Sequence, residues 1–454
     1  MSQISIVKLS EVEKDGRFDA EFYKPEYLEV EKILKKFKDL TTIKEISEVI
    51  TNGHTPRYAD LTQGEIKFLT AENIFDLKIN YDETKFIFEK PHLTELKRTI
   101  IKEGDILVTI KGKIGNFAVV NFDPKKKYNI NQDVGRIKLK KGFNQYYISA
   151  FLNSIFGKWQ SSKFATGQIN PFLGLGNLEK IKIPLLPQPF QEKIETLVKD
   201  SYSKLQTSKS LYKEAEEILL KELNLESYKP KHELTFGANL KEVLEAERID
   251  ADYFQPKYKE IEKRIEKFET LTLTDKEFFK IITGTYSEKY SDKGTNYIRS
   301  VDVQDNLLVE LDNLYKTEEK LDNKIKVKEG DIITSRVGSI GTLGYIHKEL
   351  EGSFISDNIL RIRNLNKNLN SLFLSFYLKK IGTIFMERLS RGSVQQRLNQ
   401  ETLKEIKIPL LLSPIQNKIS EKIQESFKLR KESKELLEKA KKMVEDEIEK
   451  EASK

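Results

Sequence analysis

Arg17-Phe18-Asp19-Ala20-Glu21-Phe22-Tyr23-Lys24-Pro25-Glu26-Tyr27 is written again as Arg248-Ile249-Asp250-Ala251-Asp252-Tyr253-Phe254-Gln255-Pro256-Lys257-Tyr258. Two more stretches return in the same order. Gly104-Asp105-Ile106-Leu107 recurs as Gly330-Asp331-Ile332-Ile333, and both run on to an Ile-Gly pair, Ile114-Gly115 and Ile340-Gly341. Ile181-Lys182-Ile183-Pro184-Leu185-Leu186 recurs as Ile406-Lys407-Ile408-Pro409-Leu410-Leu411. The offsets are 231, 226 and 225 residues. Copies of that length are duplicated domains, because solenoid units are far shorter. A duplicated chain can carry approximate two-fold symmetry, and duplex DNA is a common partner with that symmetry.

Each copy reads in three parts. A short amphipathic helix is expected over 20–37 and 251–268, with Tyr27, Val30, Ile33, Leu34 and Phe37 three or four residues apart. A globular region follows over 39–187 and 269–411, punctuated by Gly and Asn/Asp turns. Its β signals include Asp105–Ile110 and Gly135–Leu139 in the first copy, Asp331–Thr334 and Ile359–Arg363 in the second. Helical patterns over 145–158 and 371–388 make these regions α+β, each with its own core. A long helix closes each copy, over 189–223 and 414–450. Ser413 reads as the N-cap of the second, with Pro414 at its first turn. In the first, Val198, Leu205, Tyr212 and Leu219 repeat every seven residues, with Ile194, Ser201, Ser208 and Ala215 in the complementary positions. That is a coiled-coil seam whose small residues let helices approach closely. The matching helix carries Ile419, Ile423, Leu437, Ala440, Val444 and Ile448.

The expected fold is therefore α+β: two pseudo-symmetric α/β domains separated by long antiparallel coiled-coil helices. The expected division is 1–38, an N-terminal segment with a short helix near the C-terminal helix; 39–187, the first globular domain; 188–268, a central helical spacer; 269–411, the second globular domain; and 412–454, a C-terminal helical spacer. In this scheme no helix precedes the short helix that opens copy one.

Composition narrows the function. There is no cysteine in 454 residues, which removes disulfides and thiolate metal sites. Four histidines, none paired at ligand spacing, argue against zinc. The N-terminus does not read as a signal peptide and no apolar stretch is long enough to span a bilayer, so a cytoplasmic protein without a membrane partner is expected. The balance of 78 basic and 71 acidic residues, net +7, suits local nucleic-acid contacts within a mixed-charge surface.

The motifs resemble those of the specificity subunit of type I restriction-modification systems, over nearly the whole chain. The carriers are Arg-x-Asp-Ala-x-Tyr/Phe (Arg17, Asp19, Ala20, Phe22; Arg248, Asp250, Ala251, Tyr253), the Lys-Glu-Gly-Asp-Ile turn (102–106; 328–332), and Ile-Pro-Leu leading through a Pro/Gln segment into a long helix. Before that helix the family commonly shows Pro-Leu-Pro-Pro-Leu-x-Glu-Gln. This chain has Gln191-Glu192 and Gln416-Asn417, which implies a slightly different cap. The resemblance implies two target recognition domains, each reading half of a split, asymmetric site in double-stranded DNA. It implies helices that set the gap and dock two modification subunits, which hold S-adenosylmethionine and methylate adenine. Restriction/translocase activity would belong to a separate subunit. No cofactor is expected in this chain.

The residues agree that chemistry is sparse. Phe172-Leu173-Gly174-Leu175-Gly176 and Asn170-Pro171-Phe172 mimic the cofactor and base motifs of an adenine methyltransferase. They overlap at Phe172, and no strand–Gly-loop–helix unit surrounds them. No Walker-A loop and no nucleophile–base set is evident. No catalytic or metal-binding residue is therefore expected. The competing readings are a self-contained DNA adenine methyltransferase or endonuclease, and a coiled-coil scaffold that does not contact DNA.

Reading bases calls for long donors and amides on loops. The candidates are Asn52, His54 and Arg57 in one loop, with Thr285, Tyr286 and Lys289 in its counterpart. Lys111 and Lys113, with Arg336 and Ser339, follow the Gly-Asp strands. Gln168 and Asn170, with Arg391, Ser393, Gln395, Gln396 and Arg397, precede the closing strands. Lys125-Lys126-Lys127 and Lys140-Lys141 fit phosphate contacts better. What both copies share cannot distinguish two half-sites. Gly104-Asp105 and Gly330-Asp331 read as turn formers. Arg17/Asp19 and Arg248/Asp250 read as structural pairs or as modification-subunit contacts.

Overall fold

In the computed structural model, the described residues are 4–56, 60–122, 125–228, 231–303, 307–309, 311, 314–337, 340–389, 398 and 400–454. They form two units, Met1–Leu205 with Lys431–Lys454, and Gln206–Arg430.

Unit 1 is built on the strand Ile106–Thr109, buried along its whole length. It lies in an antiparallel sheet of order Ser47–Asn52, Val134–Leu139, Ile106–Thr109, Phe117–Val119. Alternation sends Ile106 and Val108 into one core with the helix Gln145–Asn153, and Leu107 into another with Leu69, Tyr128 and Ile130. Leu69, Tyr128 and Ile130 belong to a second sheet, Lys85–Ile87, Ile66–Leu69 and Tyr128–Ile130. Covered on both faces, the central strand reads as a continuous apolar run, not as an alternation. Leu40–Thr42 pairs with Lys182–Pro184 to close the domain where the Ile-Pro-Leu motif ends.

Unit 2 repeats this plan. Its main sheet runs Phe279–Thr283, Ile359–Asn364, Ile332–Ser335, Leu343–Tyr345. Its second sheet is Tyr315–Thr317, Thr295–Ile298 and Phe354–Ile355. Thr270–Thr272 pairs with Lys407–Pro409.

The long helices run Gln188–Glu222 and Ser413–Ala452, and each unit takes part of both. In unit 1, Ser201 Oγ donates to the Ser433 carbonyl at 2.8 Å, and Ile194 and Val198 share a core with Ala440, Val444 and Ile448. In unit 2, Ser208 Oγ donates to the Ser426 carbonyl at 2.8 Å, and Ala215 and Leu219 share a core with Ile419 and Ile423. Contacts that fall in number on one helix as they rise on the other define an antiparallel pair. Ser426 and Ser433 stand 225 residues after Ser201 and Ser208, so the same two repeat positions meet in both units. Lys36 Nζ donates to the Ala452 carbonyl at 2.6 Å, and Val30 and Leu34 pack with Val444 and Ile448.

Several expectations are corrected. The opening helix is shorter: a 3-10 turn, Ala20–Tyr23, precedes Pro25–Leu34, and Ala251–Phe254 precedes Pro256–Ile265. Proline at the first helical position holds the preceding residue extended, with Lys24 at ψ 142° and Gln255 at ψ 132°. A further helix, Leu9–Asp15, stands before it, and Leu240–Ala246 is its counterpart 231 residues on. The duplication therefore reaches upstream of Arg17. The 145–158 pattern is two helices, Gln145–Asn153 and Ile155–Phe164. They break because the Asn153 side chain is taken by both the N–H and the carbonyl of Phe117. Ser413 lies inside its helix; the Leu412 carbonyl accepts from Ile415 and Gln416, as the Pro187 carbonyl does from Phe190 and Gln191. Gln191 and Gln416 then do one job, donating to the carbonyls of Leu186 and Leu411 at 2.7 and 2.8 Å.

Candidate nucleic-acid interface

In unit 1 the three candidate loops meet at one edge of the main sheet. The Gly53 N–H donates to the Val134 carbonyl, Ile110 to Asp133, and Leu173 to Ile110. These bonds tie the ends of Ser47–Asn52, Val134–Leu139 and Ile106–Thr109 to the 166–173 loop. Asn52 Nδ2 donates to the Gln132 carbonyl at 3.3 Å, and Thr55 Oγ1 bonds Gln132 Oε1. A Cβ on Gly53 would stand 2.0 Å from the Ile130 carbonyl oxygen, so only glycine lets these loops close up. The Gly112 N–H donates to Pro171 at 3.1 Å, and Thr166 and Phe172 exchange backbone bonds of 2.9 and 2.8 Å. Lys111, Lys113, Gln168 and Asn170 are left exposed on this pinned pair of loops. His54 is exposed, its Nε2 3.9 Å from Glu95.

Unit 2 builds the same edge with different side chains. The Gly284 N–H donates to Ile359, Thr285 to Ile355, Arg336 to Asn358, and Leu398 to Arg336. Burial pushes the Tyr297 phenol well above its ordinary value, so it stays a donor to the Thr285 carbonyl at 2.7 Å. Ser287 Oγ bonds Glu319 and Thr317, leaving Tyr286 and Lys289 exposed. Arg336 takes the backbone place that buried Ile110 fills in unit 1. Its Nη1 is 3.5 Å from the Asp357 carbonyl, and its Nε has no hydrogen-bond partner among the described residues. Arg57, Ser339, Arg391, Ser393, Gln395, Gln396 and Arg397 lie outside the described residues.

Some residues at these edges escaped the sequence reading. Gln132 is one; its signal was the amide-rich run 129–133. In unit 2, Arg299 lies 3.9 Å over the Tyr315 ring, and Tyr315 stacks at 5.0 Å on Tyr290. Both tyrosines are substantially exposed, and Asp302 holds Arg299 at 2.9 Å. Two expected phosphate contacts are engaged internally: Lys127 pairs with Glu89 at 2.5 Å, and Lys140 donates to the Glu45 carbonyl at 2.6 Å.

The shared motifs do structural work. Gly104 and Gly330 have φ of 86°, and Asp105 and Asp331 accept the N–H of Lys102 and Lys328 at 2.7 and 2.8 Å. Both aspartates are buried and anchor the neighbouring strand. Asp105 takes Arg136 at 2.7 Å, and Asp331 takes Arg363 through two bonds of 2.7 Å. Arg17 and Arg248 clasp Asp19 and Asp250, which holds both carboxyls below their ordinary value. The same arginines lie over Phe22 and Tyr253, rings that also carry Lys163 and Arg388.

Two units with one frame, identical internal anchors and dissimilar loop donors at one sheet edge define a tandem recognition protein. The chain belongs to the family of the type I restriction modification DNA specificity domain, whose model matches residues 36–217 and 265–439. Among solved structures it is similar to the S subunit of a type I restriction-modification system from M. genitalium. That match has 15% identity and a TM-score of 0.43, over 91% of this chain and 95% of that one. The HsdS subunit from Thermoanaerobacter tengcongensis matches at 14% identity and a TM-score of 0.29, over 91% and 95%. No described helix is long and apolar enough to cross a membrane.

Proposed function

We propose that the two units of this DNA-recognition subunit each read one half of an asymmetric, split target in duplex DNA. The observation that carries this reading is the gathering of Asn52, Lys111, Lys113, Gln168 and Asn170 on one sheet edge, answered in unit 2 by Thr285, Tyr286, Lys289 and Arg336. Residue types differ at equivalent places, as two different half-sites require. Arg and Lys suit guanine, and amides suit adenine.

The chain is non-catalytic in this reading. Its partners are double-stranded DNA and two modification subunits, which bring S-adenosylmethionine and transfer the methyl group to adenine. Restriction/translocase subunits join the same complex. The long helices set the gap: 35 residues at 1.5 Å rise span roughly 50 Å, enough to serve half-sites about one duplex turn apart.

The test is methyl transfer from labelled S-adenosylmethionine to duplex DNA. The chain alone should transfer nothing, and the chain with its cognate modification subunit should methylate a split sequence. S-adenosylmethionine bound to the isolated chain, or methylation by it, would overturn the reading. One heptad inserted between Ser208 and Ala215, matched by one between Ile419 and Ser426, should lengthen the gap and leave both half-sequences intact.

A further inference from the structure

The helix Leu9–Asp15 and its counterpart Leu240–Ala246 bury none of their residues. Leu9 is 67% exposed and Leu240, 231 residues later, 71%. Val12 and Val243 stand one turn on, on the same faces. Each helix ends in a left-handed residue, Gly16 at φ 63° and Glu247 at φ 51°. Then comes the Arg-x-Asp clasp. Residues two apart in extended chain share a side and the one between points away. With Arg17 locked to Asp19 and Arg248 to Asp250, the middle residue is turned outward: Phe18 is 79% exposed and Ile249 92%. A motif kept in both copies thus holds a large apolar side chain in water, twice, beside a helix that does the same.

The geometry points to these two elements, 9–18 and 240–249, as a pair of equivalent docking surfaces, each taking one copy of the modification subunit. This rests on the proposed function and adds to it the place where the partner sits. Three observations choose the occupant. The surface is the same in both copies, whereas the reading loops differ, so it serves one partner used twice. Residues 9–16 and 240–247 each carry three carboxylates against one lysine, which repels a polyanion and excludes duplex DNA. An apolar strip with an acidic margin fits an apolar groove with a basic rim on a protein.

The test counts modification subunits bound to the full chain by native mass spectrometry. The wild-type chain should bind two. Leu9→Asp with Phe18→Asp should bind one, Leu240→Asp with Ile249→Asp should bind one, and the combined variant should bind none. Each patch variant carries its own control, because the copy retained on the untouched patch reports a folded chain. If an aspartate pair fails to fold, Phe18→Ser and Ile249→Ser give the same readout. Two copies bound by every variant would overturn the inference and leave the proposed function standing. A wild-type chain that binds no modification subunit would overturn both. A wild-type chain that self-associates through these patches, with dimerisation abolished by the variants, would make a second copy of this chain the occupant and overturn the inference.

Discussion

Ser208 and Ser426 close on each other from the two long helices: each hydroxyl donates to the other's carbonyl at 2.8 Å, and the hydroxyl oxygens lie 2.9 Å apart. Both residues are fully buried. Such a contact needs backbones nearer than two leucines would permit. Ser208→Ala leaves Ser426 its own bond and should cost about 1 kcal/mol. Ser208→Leu adds apolar area and a better helix former but has no room, and should cost about 1–3 kcal/mol. The check is urea unfolding of both variants followed by helical circular dichroism. A stabilised leucine variant would refute close packing at this level.

Asp331 faces two guanidinium groups, bonded to Arg363 and 3.7 Å from Arg361, which is 1% exposed. Burial pushes the Arg361 guanidinium below its ordinary value, against the attraction of Asp331. Asp331→Asn leaves that buried charge uncompensated and should cost unit 2 about 3–5 kcal/mol. Replacing exposed Asp292 the same way should change stability by less than about 0.5 kcal/mol. Circular dichroism on denaturant unfolding measures both.

His92 gives unit 1 a pH dependence. It is buried, its Nδ1 is 3.1 Å from Asn129 Nδ2, and burial holds its pKa below the ordinary 6.5. The amide must donate, so the ring nitrogen must be unprotonated. With the folded value depressed, the unfolded chain binds the extra proton. The contribution is therefore complete above about pH 6.5 and is lost as pH falls through the folded value. Trp159, the single tryptophan, packs against the core of unit 1 and reports its unfolding by fluorescence. The midpoint should fall between pH 7.5 and 5.5 in the native chain, and by less in His92→Gln.

What could be read in advance was what repeats in sequence. The duplication, the central strands and both long helices rest on periodicities carried by their own residues. The rest depends on partners distant in the chain. Nothing local announces the break at Ser154, which Phe117 imposes on Asn153. Leu9–Asp15 has no buried face and so no stripe to detect. The serine pairs needed both helices in view, since Ser201 alone reads only as a small residue. At the interface, motif spacing set Lys111 beside Arg336. The backbone bonds pair Arg336 with Ile110, one residue earlier, because the offset drifts from 231 to 225 along the copy.

Lys111 and Lys113 separate phosphate contact from base contact. They flank Gly112 on a loop pinned to Pro171, so alanine at both should remove charge without moving the frame. If both face phosphates, affinity of the assembled complex falls alike for all sequences. The slope of log affinity against log salt then flattens by about 0.9 for each contact removed. If one reaches a guanine edge, the slope changes by less and one position of a half-target relaxes, at about 1–3 kcal/mol of discrimination. Lys127 is the comparison: its charge is already matched by Glu89, so Lys127→Ala should flatten the slope least. Titrations at several salt concentrations, on the cognate duplex and on duplexes changed at single positions, read all three variants. An unaltered slope and unaltered discrimination in the double variant would remove this loop from the interface, while the Asn52 and Gln168 loops could still hold the DNA.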